Sequence, residues 1–170
     1  MVSIVDNFLN PKEFVKWQDF FMSPTLTWQY NDSIVYAEAD DKFQFFHMFY
    51  VNGIPISPYM EKLAPILKII NPISLWRIKA NLHIRTPEID ESVFHVDMAD
   101  LEDSPEKLKE WTTSIFYVNT NNGYTKFEDG TKVESVANRM ITFPSNLKHH
   151  GTTCTDEKRR IVVNFNYYKK

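Results

Sequence analysis

Apolar positions recur at helical spacing in the first seventy residues and at strand spacing afterwards. Val2 to Leu9 reads as a short opening strand. Asn10-Pro11-Lys12-Glu13 then supplies an N-cap, a proline at the first helical position and a capping-box glutamate. Phe14, Trp17 and Phe21 follow at i, i+3 and i+7, one stripe suited to a flat partner such as a sheet, and Pro24 closes the helix. Thr27 to Tyr36 is expected to form strands around an Asn31-Asp32 turn, and Gln44 to Val51 is an aromatic-rich run ending at Asn52-Gly53. Ser57-Pro58 repeats the cap-then-proline signal, and Leu63, Ile66, Leu67 and Ile70 predict a second amphipathic helix, bent at Pro65 and stopped by Asn71-Pro72.

From Leu75 the period becomes two. Trp76, Ile78, Ala80, Leu82 and Ile84 share one face, and Arg77, Lys79, Asn81, His83 and Arg85 share the other. So regular a polar face is either the solvated side of an antiparallel sheet or the wall of a site. Met98 to Glu110 is acidic and reads as a loop in which Ser104-Pro105-Glu106 starts one helical turn. Trp111 to Asn119 is a strand with Thr113, Ile115 and Tyr117 on one face; Asn121-Asn122-Gly123 is read as a hairpin turn that pairs Tyr124 to Phe127 back. Asp129-Gly130 turns into Thr131 to Val136, and Met140 to Phe143 and Arg160 to Tyr167 complete the strands. Helices first and then about eight short strands predict a mainly β, α+β fold. The expectation is one domain over 1–170, an antiparallel jelly-roll or barrel with the N-terminal helices packed on one sheet.

Composition narrows the classes. The 170 residues suffice for a real core without a staple, and the single cysteine, Cys154, excludes an intramolecular disulfide and a Cys-rich zinc site. No stretch approaches the ~18 apolar residues of a membrane span, and no leader pattern opens the chain, so a cytoplasmic protein is expected. A net charge of -3 gives no general pull toward nucleic acid.

Metal chemistry therefore rests on histidine and carboxylate. In Phe94-His95-Val96-Asp97, read as a strand, His95 and Asp97 point to one side and Val96 to the other. With one further histidine from a distant segment they would occupy one face of an octahedral ion and leave the opposite face open. This two-histidine, one-carboxylate arrangement suits non-haem Fe(II).

Several groups together, His95-x-Asp97, Tyr117-Val118-Asn119, Gly123 to Gly130, Phe143-Pro144-Ser145, His149-His150 and Arg160 leading into Asn164-Phe165-Asn166-Tyr167, resemble the Fe(II)/2-oxoglutarate-dependent oxygenases. The nearest branch is the prolyl-hydroxylase-like one, which includes many small phage-encoded members; if phage-encoded, the protein would work in the host cytoplasm. The resemblance spans Trp76 to Tyr168, and Tyr124 stands where many members have a second glycine. It implies a double-stranded β-helix with Fe(II) between its sheets, held by His95, Asp97 and His149, with His150 as the alternative to His149. Arg160 would grip the remote carboxylate of 2-oxoglutarate through its planar fork, with Arg159 as the alternative, Tyr117 assisting and His83, Asn81 or Lys79 adding a contact. The implied activity is hydroxylation of an unactivated C–H bond, with dioxygen and 2-oxoglutarate as cosubstrates, succinate as a product and ascorbate in support. Asp97 argues against the halogenating relatives, which leave that position free for halide.

The substrate would be a peptide, a nucleotide or a small metabolite. Acidic residues at Asp40-Asp41 and in Met98 to Glu110 would suit a cationic peptide better than a phosphate backbone. Two other classes share the pattern: a cupin-type metal site, which would need further ligands and no Arg160, and a non-catalytic module that retains the fold.

Overall fold

The computed structural model describes residues 1–34, 42–98, 101 and 103–169. Helix α1 (Pro11–Met22) begins at Asn10, whose Oδ1 accepts from the Lys12 amide. It buries Trp17 and Phe21, two members of the expected stripe. The second helical segment differs from expectation. Its first turn is a 3-10 turn (Met60–Leu63), and helix α2 (Ala64–Ile70) starts at that junction, so Pro65 lies in the first turn of α2 rather than bending a longer helix. Proline lacks the amide that a helix interior needs and is harmless where the first amides are unpaired. Asn71 ends α2 in the left-handed conformation (φ 45°).

Strands β1 (Ser3–Val5), β2 (Gln29–Asn31), β3 (Gln44–Val51), β4 (Ile54–Pro55), β5 (Ser74–Ile84), β6 (Trp111–Tyr117), β9 (Arg139–Pro144) and β11 (Arg159–Tyr168) form one antiparallel sheet, ordered β1-β9-β6-β11-β5-β3-β2 with β4 added to β3. A smaller antiparallel sheet is ordered β10 (His149–Gly151), β7 (Tyr124–Phe127), β8 (Lys132–Glu134). The large sheet has two faces of different character. Ile78, Ala80, Phe116, Val163 and Phe165 bury against Trp17, Phe21, Ile66 and Ile70 of the helices. Ile115, Tyr117, Ile141 and Val162 on the other face meet Phe127 and Val133 of the small sheet. The result is mainly β, with the helices packed on one sheet, as expected from the chain order.

Two further local expectations are corrected. Tyr124 to Phe127 does not pair back onto Trp111 to Asn119: β6 lies between β9 and β11, and β7 pairs β10 and β8. Residues 118–123 carry the chain from one sheet to the other, fixed by Asn121, whose Nδ2 donates to the Asn119 carbonyl and whose Oδ1 accepts from the Gly123 amide. Phe94 to Asp97 is not a ladder strand; His95 makes a single bridge to His149, with both amides donating to the opposite carbonyls at 3.0 Å. Val96 nevertheless turns away, into a small cluster with Met98 and Leu108. That cluster anchors part of the expected acidic loop, which also contains helix α3 (Pro105–Glu110). The return arm beyond Ile34 and the Asp40-Asp41 pair lie outside the described residues.

Candidate metal and 2-oxoglutarate site

The polar face of β5 is a wall, not a solvated surface. Arg77, Lys79, Asn81 and His83 line a cavity between the sheets together with His95, Asp97, His149, Arg160 and Asn164. Its volume, ≈ 200 Å³, leaves room for a ligand, so apolar side chains do not plug it.

One ligand atom each from His95, Asp97 and His149 lies within 4.8 Å of the other two. Both imidazoles are oriented by the backbone: His95 Nδ1 is 3.0 Å from the Val93 carbonyl and His149 Nδ1 is 3.2 Å from that of Leu147. A carbonyl only accepts, so each Nδ1 carries the proton and each Nε2 keeps its lone pair for an ion. Burial, chiefly, pulls the His149 imidazole down to about 4, so it is neutral near pH 7. His150 faces elsewhere, its ring against Phe94 and its Nε2 3.6 Å from Glu91.

Asp97 is held from several sides. Asn166 Nδ2 donates to Oδ2 at 3.0 Å, Asn164 Nδ2 lies 3.3 Å from each oxygen, and Arg77 Nη2 is 3.2 Å from Oδ1. Burial alone would raise its carboxyl, but Arg77, the two imidazoles and the Asn166 donor hold it well below the usual carboxylate range. These partners were not singled out as supports for Asp97 from the sequence. Their signal was present in β11, where Arg160, Val162, Asn164 and Asn166 alternate with Ile161, Val163, Phe165 and Tyr167.

Toward the other end of the cavity stands Arg160, 1% exposed. Nε donates to Ser135 Oγ at 2.8 Å and Nη2 to Thr125 Oγ1 at 3.2 Å, while the guanidinium carbon sits 5.7 Å from the Tyr117 ring centroid. No carboxylate among the described residues pairs with it. Burial pulls its pKa down, yet a guanidinium stays protonated, so the fold encloses a cation that has no counter-ion among the described residues. Arg159, of opposite parity, instead donates through Nη2 to the Met22 carbonyl at the end of α1. Tyr117 is fully buried and donates its hydroxyl to Thr125 Oγ1, so it braces the residue that touches Arg160 rather than lining the cavity. His83, opposite Arg160 in the β5–β11 ladder, is pushed down to about 3 by burial and then by the Arg160 and Lys79 charges, and is neutral. Asn81 Oδ1 and Asn164 Oδ1 are buried without a hydrogen-bond partner, which marks the cavity as built for a polar occupant.

Arg160 has this position because Gly123 lets it pass. A Cβ on Gly123 would stand 2.6 Å from the Thr153 carbonyl oxygen and 2.7 Å from Arg160 Cδ. Gly123→Ala is expected to destabilise the protein by about 1–3 kcal/mol by displacing Arg160 or the Thr153 backbone, checked by thermal melting.

No family model matches the chain, and no curated protein matches it in sequence. Solved structures do match in shape. A non-heme alpha-ketoglutarate-dependent epimerase from nogalamycin biosynthesis aligns with TM-score 0.67 at 12% identity, over 99% of this chain and 78% of its own. A prolyl hydroxylase from Trichoplax adhaerens, solved with a hypoxia inducible factor peptide, gives 0.64 at 11% identity, over 98% and 83%. A 2OG-Fe(II) oxygenase family oxidoreductase from Burkholderia pseudomallei gives 0.66 at 10% identity, over 98% and 84%. The chain thus has the jelly-roll fold of the 2-oxoglutarate- and Fe(II)-dependent oxygenases.

Proposed function

We propose that the protein is a non-haem Fe(II)- and 2-oxoglutarate-dependent dioxygenase that hydroxylates an unactivated C–H bond. The observation that carries this reading is the buried Arg160 guanidinium without a counter-ion among the described residues, in the same cavity as the His95-Asp97-His149 cluster. A metal site alone would not require Arg160, and a cupin-type centre would add a ligand that this cluster lacks among the described residues.

The donor set fits the ion: two imidazoles and one carboxylate suit a borderline divalent metal and leave coordination positions free. His95, Asp97 and His149 would hold Fe(II), and Arg160, supported by Thr125 and Ser135, would take the remote carboxylate of 2-oxoglutarate. Bound iron and 2-oxoglutarate supply the oxidising chemistry with dioxygen, and the protein contributes position and shelter. Asn164, Asn166 and Arg77 fix Asp97 so that it presents its carboxylate in one orientation. Neutral His83 at the Arg160 row adds a polar contact without competing for the anion. The enclosing sheets limit water access to the reacting centre.

The test is spectroscopic. Anaerobic addition of Fe(II), 2-oxoglutarate and ascorbate to the folded protein is expected to produce a weak visible charge-transfer band, and dioxygen is then expected to release succinate. Folded protein that shows no band would reject the assignment.

A further inference from the structure

The described lining of the cavity holds more positive charge than iron and 2-oxoglutarate would neutralise. Among the described residues, Arg77, Lys79 and Arg160 line it against one carboxylate, Asp97. A divalent metal and a dianionic cosubstrate cancel each other, so the excess of cations persists when both are bound. The Asp40-Asp41 pair that would suit a cationic substrate lies outside the described residues, and the described wall of the cavity carries the opposite sign.

The three cations differ in status. Arg77 is paired with Asp97, and Arg160 is assigned above to the cosubstrate. Lys79 has no ion-pair partner among the described residues; its Nζ lies 5.1 Å from the centroid of the Phe46 ring. In the ladder of β5 and β11, Lys79 stands opposite Asn164, whereas His83 stands opposite Arg160. The two rows are four residues apart, about 13 Å along the strands, with Lys79 at the Asp97 end. Burial, then the neighbouring Arg77 charge, pulls the amine down to about 8, with Asp97 opposing. A half-buried amine without a counter-ion among the described residues is unfavourable for folding, and such groups concentrate where a ligand uses them.

We propose that Lys79 is the substrate-recognising cation of the cavity and that the primary substrate is a small molecule bearing a carboxylate or phosphate. This rests on the oxygenase reading above. A polyanion lying across the surface is disfavoured because the chain as a whole carries -3, so the positive excess belongs to the cavity and suits one entering anionic group.

The experiment uses the full chain loaded with Zn(II) in place of iron and saturated with 2-oxoglutarate, its lysines carrying 13C-methyl labels. The Lys79 signal is identified by its loss in Lys79→Met. Titration with inorganic phosphate and with acetate is expected to shift the Lys79 signal saturably for at least one of them, while neutral acetamide leaves it in place; the anion that acts identifies the group. Lys79→Met is expected to lose that anion, to keep 2-oxoglutarate affinity within about threefold, and to melt no lower than the parent; Lys79→Arg is expected to retain the anion. A Lys79 signal unmoved by both anions, or moved equally by acetamide, would overturn the proposal. So would a loss of about tenfold or more in 2-oxoglutarate affinity in Lys79→Met, which would give the amine to the cosubstrate. Failure to load Zn(II) and 2-oxoglutarate at all would reject the oxygenase reading, and this proposal with it.

Discussion

Arg160→Ala is expected to bind 2-oxoglutarate roughly thirty-fold to several thousand-fold more weakly than the parent, the equivalent of ~2–5 kcal/mol for truncating one partner of a buried charge pair. The reasoning starts from the free protein. Ser135 and Thr125 accept from the guanidinium, but neither neutralises it, so under the proposed function the main electrostatic partner of this cation arrives with the ligand. Arg160→Lys should restore only part of the affinity, because an ammonium supplies charge without the planar fork. Metal uptake should survive in both variants, since Arg160 belongs to a different row from Asp97. Titrating 2-oxoglutarate into the metal-loaded variants reads the effect directly. Parent-like affinity in Arg160→Ala would show that the carboxylate is held elsewhere.

The second large effect separates neighbouring histidines. His149→Ala is expected to lose the metal, and His150→Ala to keep most of it, measured as iron per folded chain after desalting. On β10 adjacent side chains point to opposite sides, so the two imidazoles cannot both reach the cluster. His149 shares it with His95 and Asp97, while His150 packs on Phe94 beside Glu91. Equal iron retention by the two variants would overturn the ligand assignment.

Much of this architecture was visible in the order of the residues. The stripe of Phe14, Trp17 and Phe21 implied a flat partner, and α1 packs on the large sheet. The strict alternation from Leu75 to Arg85 implied a strand with one polar face, and that face lines the cavity. Alternation is local physics, set by the extended backbone, and so can be read from a short window. His95 and Asp97 were paired by the same rule, and it held for their side chains even where the backbone leaves the ladder.

The rest needed long-range pairing. The run from Asn119 to Phe127 looks like a hairpin because its composition suits a tight turn, yet no local signal shows that the strand after it joins another sheet. Nor could strand parity choose between His149 and His150, because Pro144-Ser145-Asn146 interrupts the count from Phe143. Asn164, Asn166 and Arg77 converge on Asp97 from positions far apart in the chain, and only the packed sheets bring them there. By itself the sequence determined most of the elements, the polar face of β5 and the types of residue available for metal and diacid. Tertiary structure decided that this face is a wall, which histidine meets Asp97, and which arginine and lysine stand without an ionic partner among the described residues, because burial and convergence are properties of the packed sheets.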